Sequence, residues 1–149
     1  MNKHPKLAQI QQPIFQEIAR FRGIIFDALL KPHDVTMSQG WILVHLWYED
    51  GLTQSQLANR MEVATVTVSK LIDRLEAHSF VERRANVEDR RSNCVFATSR
   101  GRDLVKVMTG IIADVDEIAN TGVTEEDLAT TLKVLAKMRN NLKKQIVSG

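Results

Sequence analysis

Apolar positions recur at helical spacing over most of the chain. Near its start, Leu7, Ile10, Ile14, Ile18, Phe21, Ile25 and Leu29 step by three and four, which places them on one face of a long helix. Pro13 either interrupts that helix or marks its true start. Lys31-Pro32-His33-Asp34 ends it, because the residue before a proline is pushed out of helical space. A second helix is expected over about 38–48, closed by Glu49-Asp50-Gly51.

The middle of the chain changes rhythm. Thr53 with Gln56 three residues on forms a capping box, so a short helix is expected from there to about Met61, with Leu57 and Met61 turned inward. A turn at Glu62-Val63 leads to a helix over 65–78 whose buried side is Val68, Leu71, Ile72 and Leu75. Two short helices joined by a tight turn are a helix-turn-helix signature. Residues 80–84 and 93–98 each read as strands, and 85–92 between them lacks the Asn-Gly or Asp-Gly of a tight hairpin, so a longer loop is expected. Helical spacing returns after Gly101 in Leu104, Val107, Met108, Ile111, Ile112, Val115 and Ile118. Asn120-Thr121-Gly122 breaks it, Thr124 caps a last helix, and Leu128, Leu132, Leu135, Met138, Leu142 and Ile146 form its stripe. The expected fold class is mainly α: an α+β winged helix-turn-helix between N- and C-terminal helices.

Composition narrows the class without changing that picture. A chain of 149 residues with 44% hydrophobic and 26% charged positions is of ordinary globular type and of single-domain size, which argues against disorder or a fibrous protein. The uncharged apolar run 41–48 is far short of the roughly 20 residues of a membrane span, and no basic-then-apolar leader opens the sequence, so a cytoplasmic protein is expected. A lone cysteine, Cys94, excludes an internal disulfide and leaves too little sulfur for a zinc cluster. The formal net charge is only +2, yet residues 53–102 hold nine Lys/Arg against six acids, leaving −1 for everything else. Positive charge is concentrated on the helix-turn-helix and hairpin, where an anion-binding face needs it.

No enzyme site is apparent, and neither a metal nor a cofactor is expected. His4, His33, His45 and His78 are scattered without acidic or thiol partners at ligand spacing, and there is no phosphate-cradling glycine loop or nucleophile elbow. Glu125-Glu126-Asp127 suits the charge preference of a helix N-terminus. The helix over 65–78 is more informative. With Val68, Leu71, Ile72 and Leu75 buried, it exposes Thr65, Thr67, Ser69, Lys70, Asp73 and Arg74. Small hydroxyls and cations permit close approach to base edges and phosphates, and the free amides of its first turn favour phosphate oxygens. The alternatives are a solvated pairing of Lys70 and Arg74 with Asp73 and Glu76, and neutral surface positions for Thr67 and Ser69.

The segments LTQSQLANRMEV, TVTVSKLIDRLEAHSFVERR, VEDRRS and ATSRG, contiguous over 52–101, resemble the multiple-antibiotic-resistance regulator (MarR) family of bacterial transcription factors. The resemblance implies one domain over 1–149, with a DNA-binding lobe at about 36–101 and a helical dimerisation region at about 5–31 and 102–147. It implies a homodimer on double-stranded DNA at a pseudo-palindromic operator, with recognition helices in the major groove and wings in the minor groove. Repression is the commoner outcome in that family. In the wing, Arg90 and Arg91 are the minor-groove candidates, because a narrow negative groove favours inserted arginine. Asp89 matches the family's Asp-x-Arg pair: it either holds Arg91 extended, reducing the entropy lost on docking, or merely balances charge together with Glu88. Arg83 and Arg84 at the base of the wing are candidates for flanking phosphates.

Three positions depart from the family pattern. Ala64 stands where a Ser or Thr cap is usual, so the recognition helix begins at Thr65 or is less well capped. Ser79 replaces a glycine, which calls for a left-handed residue or a different turn, and Ala97 replaces a leucine before Thr98. Many relatives release DNA when a small aromatic acid or phenol enters a cleft between the dimer helices and the winged helix. Arg20, Arg22, His33, Trp41 and His45, with Trp47, are the candidates for lining one here; packing is the alternative for the residues of the 38–48 helix. Cys94 lies on a wing strand and not in the N-terminal helices where peroxide-sensing relatives carry their thiol, so it is either inert or, if exposed, activated by nearby arginines. Outside this resemblance, a winged helix can also serve as a protein-interaction module whose arginines meet an acidic partner.

Overall fold

The computed structural model describes residues 13–147; Leu7, Ile10 and His4 lie outside them. Pro13 stands at the N-cap of α1 (Ile14–Leu30), where a missing N–H costs no helical bond. The Lys31–His33 segment winds into a single 3-10 turn ended by Asp34 in the left-handed region, φ 58°. Thr36 and Gln39 then close a capping box that starts α2 (Met37–Tyr48), and Asp27 of α1 accepts the Met37 N–H at 2.9 Å.

The chain continues through β1 (Leu52–Thr53), α3 (Gln54–Met61), α4 (Thr65–Ala77), β2 (Val81–Ala85), β3 (Asn93–Ala97), α5 (Ser99–Ala119) and α6 (Glu125–Val147). The expected capping box at Thr53 and Gln56 is present, with bonds of 2.9 and 3.1 Å, and Thr124 accepts the Asp127 N–H at 3.1 Å to cap α6. The sheet has three strands in the order β1-β3-β2, all antiparallel, with Arg83 and Leu52 both opposite Val95. β1 was not foreseen, because two residues are too few for an alternating pattern. It is held by Gly51, whose N–H donates to Val95 O at 3.0 Å, and by Asp50, whose Oδ1 accepts the Ala97 N–H at 2.9 Å.

Both turns that shape the helix-turn-helix close in the same way. At the end of α3, Glu62 is left-handed (φ 57°) and the Val63 N–H reaches Ala58 O at 3.1 Å. At the end of α4, Ser79 is left-handed (φ 62°), its N–H donates to Glu76 O at 3.0 Å and the Phe80 N–H to Leu75 O at 2.9 Å. That is a Schellman closure, with Phe80 and Leu75 both buried beside it. The first of the two readings of Ser79 is therefore the observed one.

The core joins Leu30, Ile42, Leu43 and Leu46 to Leu57, Val68, Ile72 and Leu75, to Val81 and Val95 of the sheet, and to Leu104 and Met108 of α5. Ala97 is also buried, so the smaller side chain is accommodated under the wing. The described residues divide into two compact units, one ending at Ile112 and the other beginning at Ala113. In the first, Ile14, Ile18, Phe21, Ile25 and Leu29 of α1 remain exposed; in the second, so do Leu132, Leu135, Met138, Leu142 and Ile146 of α6. No helix among the described residues is long and apolar enough to cross a membrane.

Candidate nucleic-acid interface

Burial of Val68, Ile72 and Leu75 fixes the roll of α4 about its axis, and Thr65, Thr67, Lys70 and Arg74 consequently face solvent while Ser69 is half-buried. The helix starts at Thr65 with Ala64 as N-cap, and Ala64 supplies no side-chain acceptor. The first-turn amides thus lack the capping oxygen that Thr36 and Thr53 provide to α2 and α3.

The structure separates the cations into two groups. Arg83 is nearly enclosed, its side chain 16% exposed, and it is fully engaged. Its Nη2 donates to Asp73 Oδ1 at 2.6 Å, Nη1 to Glu76 Oε1 at 3.0 Å and Nε to Gln54 Oε1 at 3.1 Å. Arg84 donates to Glu82 through Nε at 2.9 Å and lies over the Phe96 ring at 4.2 Å. Lys70, Arg74, Arg90 and Arg91 form no ion pair among the described residues. Asp73 and Glu76, the acids that a solvated pairing would have set against Lys70 and Arg74, serve Arg83 instead.

In the wing loop Asp89 acts on backbone. Its Oδ1 accepts the Arg91 N–H at 3.0 Å and its carbonyl accepts the Ser92 N–H at 3.1 Å, an Asx turn that leaves the Arg91 guanidinium unbound. Asn86 works from the other side: its Oδ1 accepts the Glu88 N–H at 3.1 Å and its Nδ2 donates to Ser92 Oγ at 3.2 Å. The loop is ordered by these side-chain caps, with Arg90 and Arg91 exposed on its far limb and Val87 97% exposed at its tip. At the base of the wing, Thr98 Oγ1 donates to Ser79 O at 2.7 Å and accepts the Gly101 N–H at 3.1 Å, capping α5. Gly101 is required there, since a Cβ would run into the Phe80 carbonyl.

The candidates for an effector cleft are distributed over several places. His33 lines a cavity of about 260 Å³ with Pro32, Phe80, Arg100, Asp103 and Leu104. Trp41 and Trp47 line another of about 340 Å³ with Val44, Tyr48, Lys106 and Ile112. Arg20 and Arg22 lie over Phe21 and Phe26 of their own helix, at 4.9 and 5.3 Å. His45 is half-buried, and burial first, then the Arg60 charge, lowers its pKa. Arg100 and Lys106 were missed as lining residues; Arg100 lies one turn before Leu104 on the apolar stripe of α5, a signal that was available, whereas Lys106 lies off that stripe and carried none. Cys94 is half-buried on β3, opposite Arg84 in the sheet. No cluster of three or more His, Cys, Asp or Glu suited to a metal occurs among the described residues.

A helix-turn-helix whose outward face carries unpaired cations, followed by a capped two-stranded wing, defines a winged helix-turn-helix protein. Residues 35–93 match the model of the MarR family. The chain is 32% identical over 120 residues to the HTH-type transcriptional regulator TtmR of Methylorubrum extorquens (strain PA1), an alignment that takes in 80% of this chain and 60% of TtmR. It is 25% identical over 127 residues to the uncharacterized HTH-type transcriptional regulator YybA of Bacillus subtilis (strain 168), covering 85% of each. Among solved structures, the S. aureus MepR-DNA complex superimposes with a TM-score of 0.79 at 28% identity over 87% of this chain and 95% of that one. A crystal structure of MarR shares the fold, with a TM-score of 0.84 at 20% identity over 99% and 100% of the two chains. Residues 35–93 thus match the MarR family model, and the chain as a whole has the fold of solved MarR structures.

Proposed function

We propose that this protein is a cytoplasmic, sequence-specific DNA-binding transcriptional regulator, acting as a repressor. The observation that carries the reading is the segregation of charge: Lys70, Arg74, Arg90 and Arg91 are left without ion pairs on the outer side of α4 and the wing, while Arg83 and Arg84 are bound internally. The four free cations and the hydroxyls of Thr65, Thr67 and Ser69 supply phosphate and base contacts; Arg90 and Arg91 enter the minor groove from a loop that Asp89 pre-forms. Arg83 supports this surface from behind and acts on it through α3, α4 and β2, whereas Arg84, exposed beside Glu82, supplies a flanking phosphate contact.

The protein works as a homodimer on a pseudo-palindromic operator, with 36–101 as the DNA-binding lobe and 5–31 and 102–147 as the dimerisation region. Support comes from two apolar stripes that a single chain leaves in water, Ile14 to Leu29 on α1 and Leu132 to Ile146 on α6. A small aromatic or phenolic ligand releases it from DNA. The cavity beside Trp41, Trp47 and Lys106 has the indoles and the cation that an aromatic carboxylate requires. MepR, at 28% identity, is a relative solved in complex with DNA.

Fluorescence polarisation with the duplex upstream of the protein's own gene and with a random duplex, at two salt concentrations, tests the reading. Tighter, salt-dependent binding of the upstream duplex is expected. Equal affinity for the two would remove sequence-specific binding and favour a winged-helix module that receives an acidic protein partner.

A further inference from the structure

Of the large apolar side chains on α4, Leu71 is partly buried and Val68, Ile72 and Leu75 are buried, while Val66 is 67% exposed. Val66 lies about 200° around the helix from Val68 and about 180° from Leu75, so it sits on the crest of the face opposite the core. A β-branched residue there lies outside the core, and its helix propensity is lower than that of alanine. It is flanked by the exposed hydroxyls of Thr65 and Thr67, and Lys70 follows it one turn along the same crest. Thr65 and Thr67 stand about 100° to either side of that crest, along which Lys70 and then Asp73 follow Val66.

We propose that Val66 is a specificity-determining residue that reads the 5-methyl group of a thymine in the major groove. The inference rests on the DNA-binding reading above and goes further, since it assigns base discrimination to an apolar position that no charge or hydrogen-bond argument selects. Thymine is the one base that presents a methyl group on the major-groove edge, and an apolar side chain gains from covering it. Thr65 and Thr67 are small enough to let Val66 reach the groove floor, and their hydroxyls can meet the adjacent thymine O4. Lys70, one turn on, serves phosphate or a guanine edge beside that thymine. Ala64 fits the same geometry: a short, uncapping residue before Thr65 leaves the first turn free to approach the backbone closely.

The test uses the full chain and a duplex that it enriches from a random-sequence pool. Each symmetric pair of thymines is replaced in turn by deoxyuridine, which keeps Watson–Crick pairing and removes only the methyl. One pair is expected to weaken wild-type binding by roughly fourfold per half-site, the value of one methyl taken out of water. Val66→Ala should weaken binding to the thymine duplex by a similar factor, leave affinity for random duplex unchanged, and abolish the deoxyuridine effect at that pair. Val66 makes no core contact, so the helical signal in circular dichroism should be preserved. A flat deoxyuridine scan on wild type, or an undiminished deoxyuridine effect in Val66→Ala, overturns the assignment while leaving DNA binding intact. Failure of the pool to converge with wild-type protein would strike at the DNA-binding reading itself, and the assignment would fall with it.

Discussion

Arg83 Nη2 donates to Asp73 Oδ1 at 2.6 Å, and this bond fastens the first wing strand to the recognition helix. With Glu76 on Nη1 and Gln54 on Nε, one guanidinium joins α3, α4 and β2. The angle between α4 and the wing is therefore set from inside the protein. Asp73 and Glu76, which would look like repulsive charges if α4 met an anion, hold Arg83 in place.

Arg83→Met should lower unfolding stability by about 1–2 kcal/mol, a figure kept small because both carboxylate partners are partly exposed. It should weaken DNA binding without changing the slope of log K against log salt. Loss of a direct phosphate contact would instead reduce that slope by about 0.9. Asp73→Asn should likewise weaken binding although it removes a negative charge. A slope that drops in Arg83→Met, with tighter binding by Asp73→Asn, would restore Arg83 to the phosphate-contacting group.

Asp89→Ala is expected to weaken DNA binding by roughly fivefold, the value of one hydrogen bond of about 1 kcal/mol, although a simple charge count predicts tightening. The structure adds a discriminating variant. Because Oδ1 serves the Arg91 amide and not its guanidinium, Asp89→Asn keeps the acceptor and should bind at least as well as wild type. Polarisation titrations of both variants decide it: an unchanged or tighter Asp89→Ala complex would mean that the Asx turn does not prepare the wing.

Local signals in the sequence carried most of the fold. The stripes of α1, α5 and α6, the capping box at Thr53, the cap at Thr124 and the reversal at Glu62-Val63 are short-range, and each appears among the described residues where its chemistry placed it. Thr36 with Gln39 is an equally local signal that was passed over, because Ser38 reads as a competing start for α2. What could not be read locally is which arginine meets which acid. Arg83 and Arg84 are adjacent and identical in type, yet strand alternation sends one toward Asp73 and Glu76 and the other toward Glu82 and Phe96. Val66 was hidden for a related reason: in sequence it looks like one more apolar helix residue, and only the roll of α4 shows that it faces out.

Ser79 holds a left-handed conformation at φ 62° to complete the Schellman closure between α4 and β2. An L-residue there is disfavoured by roughly 1–2 kcal/mol, partly offset in glycine's case by its larger unfolded-state entropy. Ser79→Gly should therefore raise stability by about 0.5–1 kcal/mol, and Ser79→Val should lower it. Urea unfolding of the pair checks the sign; a destabilised glycine variant would mean that the serine side chain contributes more than the strain it tolerates.

His45 links stability to pH. Its pKa lies below 6.5 in the folded chain, chiefly because burial disfavours the imidazolium and secondarily because Arg60 is close. Arg60 in turn pairs with Glu49 at the end of α2, which keeps the guanidinium near the ring. The unfolded chain then binds more protons than the folded one over the interval between the two values, so stability must fall as pH falls through it. The contribution of a neutral His45 is complete above pH 6.5 and is lost progressively below it, through the lowered folded value. His45→Gln, which cannot titrate, should flatten the dependence of the urea midpoint on pH in that window and leave the dependence at lower pH, where carboxylates titrate, unchanged. An equally steep profile in the glutamine variant would place the proton uptake elsewhere, and a wild-type midpoint that rises on acidification would reverse the direction of the shift.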